Sequence, residues 1–194
     1  MKYRSLLRLA RFAVLSVSGL CASCVPLSLQ YYVPSAEGAE IVSYSCTGNP
    51  PYEASFVDGG VPRKYSMRIG LSQQSLAGVK EPTVTLMIDP FHRTLVDVDP
   101  TLIRVEADGE SVPLKSIFYY LGKYAGAPTL KSYGLINVET DYLIIYIPLS
   151  VRGATSTVEI HTSPISLEKE RIQLPEISFK LERHTIMYSL AINC

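Results

Sequence analysis

Apolar and polar residues alternate with a period of two along most of this chain, and that period predicts strands. Tyr65, Met67, Ile69 and Leu71 alternate with Ser66, Arg68, Gly70 and Ser72. Val42, Tyr44 and Cys46 alternate with Ser43 and Ser45, and Val84, Leu86 and Ile88 with Thr83, Thr85 and Met87. Ile103, Val105 and Ala107 lead into Asp108-Gly109, a strong two-residue hairpin signal, followed by a return strand over Ser111 to Leu114. Leu143 to Leu149 is almost wholly apolar and predicts a central strand buried on both faces. Val158 and Ile160 mark another strand; Ile177, Phe179 and Leu181 alternate with Ser178, Lys180 and Glu182; Ile186, Tyr188, Leu190 and Ile192 close the chain. Long helical patterns are missing, and the best helical candidate is a single turn over Ser166 to Ile172, capped by Ser166. Short strands punctuated by Pro and Gly predict a mostly β fold, an antiparallel β-sandwich of immunoglobulin-like or related type.

The first residues break this pattern. Lys2, Arg4, Arg8 and Arg11 stand in a stretch without an acid, and an apolar run follows from Phe12 to Val25. A charged start followed by a short apolar core is the form of a secretory signal peptide, and the run is shorter than the roughly 20 residues a spanning helix needs. At its end stands Leu20-Cys21-Ala22-Ser23-Cys24. This segment resembles the lipobox of bacterial lipoproteins, with Ala22 and Ser23 at the two small positions and Cys24 as the residue that takes the lipid. Cys21 stands where that family prefers Leu. The resemblance covers residues 1–24 and implies a membrane anchor through Cys24. It also implies outer-membrane sorting in a Gram-negative host, since Val25 is not Asp. Without lipidation, ordinary cleavage implies a periplasmic or secreted protein.

Cysteine arithmetic points the same way. The chain holds Cys21, Cys24, Cys46 and Cys194. Cleavage before Cys24 discards Cys21, acylation consumes the Cys24 thiol, and Cys46 and Cys194 remain as a pair. A bridge between them would close a loop of about 150 residues and stabilise by roughly 5 kcal/mol at most on chain-entropy grounds. Cleavage after Ala39 would leave the same pair; the lipobox resemblance implies residues 1–23 as signal peptide, 24–39 as lipidated cysteine and a flexible tether broken by Pro26 and Pro34, and 40–194 as a single β domain. Such a tether would span about 20 Å.

Composition then narrows the function. The whole chain carries 18 Lys plus Arg and 18 Asp plus Glu. The leader holds four of the cations and none of the acids, so the remainder has 14 against 18, a net charge of −4. A mildly acidic surface has no electrostatic attraction for nucleic acid, which excludes that class of partner.

Candidate chemistry is sparse. The three histidines, His92, His161 and His184, are far apart in sequence, and no H-x-H, H-E-x-x-H or G-x-S-x-G is present. Ser166-Leu167-Glu168-Lys169 matches the S-x-x-K of acyl-serine enzymes but lacks the companion S-D-N and K-T-G motifs. Asp89, His92, Asp97 and Asp99 form the richest polar segment, and an envelope hydrolase or metalloenzyme would be built there. Asp-Pro pairs equally initiate turns at strand ends. Tyr119, Tyr120, Tyr124 and Tyr133, interleaved with glycines, have the composition of an adaptable recognition surface for a protein, a small ligand or a glycan. The sequence therefore predicts a non-catalytic envelope lipoprotein without cofactor or metal. It would be held to a membrane by its lipid and act through surface contacts with a protein or glycan.

Overall fold

The computed structural model describes residues 24–43, 52–58, 60, 64–72, 81–114, 116–122, 130–132, 134–151 and 155–189, with side chains from 30 to 183. Two compact units divide the chain, one of Tyr31–Glu182 and the other of Met1–Gln30 with Arg183–Cys194. Strand β1 (Cys24–Ser35) and strand β16 (Ile177–Ser189) each run from one unit into the other. The described strands between them all belong to the larger unit.

These are β2 (Glu40–Ser43), β3 (Tyr52–Val57), β4 (Ser66–Ser72), β5 (Thr83–Asp89) and β6 (Thr94–Val98). A 3-10 turn (Pro100–Leu102) precedes β7 (Arg104–Ala107), β8 (Glu110–Ser111), β9 (Ile117–Leu121), β10 (Leu130–Ser132) and β11 (Ile136–Thr140). The series is completed by β12 (Leu143–Pro148), β13 (Thr157–His161), β14 (Ile165–Leu167) and β15 (Glu170–Ile172). The fold is mostly β and sandwich-like, built from three antiparallel sheets. Their orders are β1-β16-β13-β7-β8, β10-β9-β12-β5-β4-β3-β2 and β11-β6-β14-β15. No α-helix occurs among the described residues, and none of their elements is a helix long and apolar enough to cross a membrane.

All three sheets feed one hydrophobic core. Met67, Ile69, Leu86, Ile88, Leu143, Ile145 and Ile147 come from the seven-stranded sheet, Val96, Val98 and Ile165 from the four-stranded one, and Val158, Ile160, Ile177 and Phe179 from the third. Leu143–Pro148 forms the predicted buried strand beside β5 near the middle of its sheet. Strand β5 departs from its half-buried pattern, because Thr83, Thr85 and Met87 are buried as well. The cause lies in its neighbours. In register, Met87 lies between Arg68 and Ile144, and Thr85 between Gly70 and Tyr146, so the outer face of β5 is flanked by strands on both sides.

Two predicted elements are corrected. Residues expected to be a tether continue a strand instead: in the larger unit Tyr32 and Pro34 are buried, and Tyr32 donates its hydroxyl proton to the Thr155 carbonyl at 2.9 Å. Tyr31 packs edge-on against Tyr52 with ring centroids 5.3 Å apart. The domain therefore begins upstream of residue 40. The two prolines suggested a break, yet Pro is tolerated where a strand lies at a sheet edge, as β1 does. The predicted helical turn Ser166–Ile172 is the β14–β15 hairpin, in which Leu167 pairs with Glu170. Glu168 and Lys169 both have positive φ, 48° and 77°, which is the twist a two-residue hairpin loop demands. The Asp108-Gly109 hairpin forms as predicted, with φ of 50° and 80°, though its return strand is only Glu110–Ser111.

Candidate functional site

Four non-glycine residues among those described have a left-handed backbone: Phe91, Asp108, Glu168 and Lys169. For an L-residue that conformation costs about 1–2 kcal/mol. Asp108 is explained by its hairpin. Its carboxylate accepts from the Ser156 and Thr157 N–H groups at 3.0 and 2.8 Å and ties the β7–β8 turn to the start of β13. Those bonds, the Thr157 one foremost, hold its carboxyl below the usual range.

Glu168 and Lys169 form the two-residue loop of their own hairpin in the same way, which leaves Phe91 as the left-handed residue that no hairpin explains. The β5–β6 loop is set by Asp89, whose carboxylate accepts the Phe91 N–H at 3.1 Å, and by the His92 N–H, which donates to the Pro90 carbonyl at 2.7 Å. These bonds hold Phe91 left-handed (φ 59°) with its side chain 47% exposed, an unusual place for a large aromatic. The β14–β15 turn lies against the start of β6, since the Glu168 N–H donates to the Leu95 carbonyl at 3.1 Å. A cleft of about 150 Å³ is lined by Pro90 and His92 from the loop, by Thr94 at the start of β6, by Leu167, Glu168 and Glu170 from the hairpin, and by Lys64 and Tyr65. Lys64 Nζ and Glu170 Oε2 form a 2.9 Å ion pair at this cleft, which raises the lysine pKa. Burial, then Asp58 and Glu170, raise that of the Tyr65 phenol. Thr94 is 4% exposed and its Oγ1 has no hydrogen-bond partner among the described residues.

On the other side of His92 lies a wider, shallower hollow of about 450 Å³, lined by Phe91, His92, Arg93, Leu121, Gly122, Glu139, Thr140 and Asp141. Arg93 Nε and Glu139 Oε1 form a 3.3 Å pair there, both side chains mostly exposed. Gly122 has φ of 92°, which only glycine adopts without strain, and a Cβ on it would meet nothing within 4 Å. Comparison with models of protein families, with curated proteins and with solved structures finds no match.

The chemistry of the site differs from what the sequence singled out. Asp89, Asp97 and Asp99 each serve a local role: Asp89 shapes its loop, Asp97 accepts from the Asn137 side-chain amide across the β6–β11 pair, and Asp99 caps the 3-10 turn through the Thr101 N–H and hydroxyl. Among the described residues no three His, Cys, Asp or Glu side chains converge as a metal site would require. Of the predicted quartet, His92 alone lines the two hollows. Ser166 pairs with Arg171 in a strand, so the S-x-x-K spacing has no helical turn to bring lysine over serine. His161 lies 3.5 Å from Glu176, elsewhere on the surface.

The tyrosine surface divides. Tyr119 and Tyr120 are consecutive on β9 and so point to opposite faces. Tyr119 packs against the core, whereas Tyr120 stacks on Tyr146 with centroids 5.7 Å apart. They cannot share one binding surface. Tyr124 and Tyr133 lie outside the described residues, as do Cys21, Cys46, Cys194 and the side chains of Cys24 and His184. Sequence reasoning missed Phe91, Glu139, Asp141, Glu168 and Glu170, which come from three separate strand ends. The one local signal was the charged, glycine-free turn Glu168-Lys169 between two short strands.

Proposed function

We propose that this chain is an exported bacterial envelope lipoprotein, anchored through Cys24 and acting without catalysis by surface contact at the Phe91–His92 tip and the Glu168–Lys169 turn. The observation that carries the contact reading is Phe91, a left-handed aromatic 47% exposed beside His92, which lines both hollows. Strain of that kind persists where the surrounding structure over-determines it, and it collects at binding sites. The anchoring reading is carried by the cationic leader and by Ala22-Ser23-Cys24 at its end. A single acyl chain anchors marginally, so Cys24 is multiply acylated in this proposal, at the outer membrane if the host is Gram-negative. Metabolic labelling with palmitate in the host tests it. The expected outcome is label on the wild-type chain and none on Cys24→Ala; a wild-type chain that takes no label overturns the anchor.

A further inference from the structure

We propose that the wider hollow is a subsite for a neutral saccharide, with the Phe91 ring as the platform under a pyranose. This inference rests on the surface-contact reading above and names its ligand.

A pyranose has an apolar C–H face and a rim of hydroxyls that each donate and accept. The hollow offers the complement of both. Phe91 supplies exposed aromatic area, and Leu121 adds an apolar neighbour. Around them stand acceptors (Glu139, Asp141) and donors (Arg93, His92), with Gly122 leaving open space where any other residue would project a side chain. Arg93 and Glu139 already neutralise each other through their 3.3 Å pair, so together they present donors and acceptors with little field. Among the lining residues, the one guanidinium of Arg93 stands against the two carboxylates of Glu139 and Asp141. That balance disfavours phosphate-rich polyanions and suits an uncharged polyol. The backbone that carries the ring is also held before any ligand arrives, since the Asp89 carboxylate and the Pro90 carbonyl accept from the N–H groups of Phe91 and His92. Such preorganisation lowers the ordering cost of binding. The volume of about 450 Å³ falls within the range of small-ligand sites and is large for a single sugar, which leaves room for a neighbouring residue of a chain.

The test is titration calorimetry of the purified exported protein with soluble probes: the trimer of N-acetylglucosamine, maltotriose, and a galactose-terminated trisaccharide. The proposal expects at least one probe to bind, Phe91→Ala to weaken it by about tenfold or more, and Asp141→Asn to weaken it by several-fold. Tyr120→Phe, on a different strand face, should bind as wild type, and melting curves show whether each variant is folded. Binding unchanged in a folded Phe91→Ala, or no heat from any of the three probes, overturns the proposal. A photo-cross-linker at position 91 separates its failure from that of the parent reading. Capture of a protein at that position without saccharide binding overturns the saccharide and keeps the contact surface; no adduct and no binding overturns both.

Discussion

Gly70 faces Glu53 across the β3–β4 pair, on the face of the seven-stranded sheet that turns away from its core residues. A Cβ at Gly70 would lie 2.9 Å from Glu53 Oε1 and 3.0 Å from its Cγ, and Glu53 is only 6% exposed. Glycine here is a matter of space, since Glu53 has no solvent into which to retreat. Gly70→Ala is expected to cost about 1–3 kcal/mol through overpacking, read as a lower urea midpoint with unchanged slope. An unchanged midpoint would mean that Glu53 moves freely. Asp108 gives a prediction in pH. Its folded-state pKa is lowered from the ordinary value of 3.8 by N–H donors, so its contribution to stability is full above about that pH and is lost as pH falls through the lower folded value. Asn at this position keeps the hairpin preference and loses the charge. Melting temperatures of wild type and Asp108→Asn should therefore converge as pH drops below about 4; a constant difference would show that the carboxylate charge is irrelevant.

At the scale of elements, the β14–β15 hairpin separates what the chain states locally from what the fold imposes. Asp108-Gly109 announced its hairpin because both residues tolerate positive φ. Glu168-Lys169 adopts the same geometry with residues that do not favour it, and its polar character read as a helical turn. Replacing the pair by Asn-Gly is expected to stabilise the protein by about 1–2 kcal/mol, measured by chemical denaturation. No gain would mean that the turn is not strained. Period-two patterns gave β4 and β16, and the apolar run gave β12, because those strands bury one face or both in a single core. Burial of the outer face of β5 was not legible, for it depends on which strands flank it. The separation of Tyr119 from Tyr120 follows from strand alternation alone. The hollows were illegible because their walls come from the β5–β6 loop, the β11–β12 junction and the β14–β15 turn, which no local pattern links.

At the scale of the whole molecule, the described part is a sandwich-like fold of three antiparallel sheets around one core, with its candidate contact surface on loops and turns. That division is ordinary physics: strand interiors spend their side chains on packing, and connections are free to carry recognition. The proposed envelope address and the proposed Cys46–Cys194 bond both rest on cysteines in the sequence, and one measurement reaches them together. Intact mass of the protein purified from its own cell envelope, without reductant, should correspond to a chain starting at Cys24, carrying added acyl mass, and lacking two hydrogens for a Cys46–Cys194 bond. A mass that retains Met1 to Ser23, bears no lipid and includes free thiols at Cys46 and Cys194 would contradict the account.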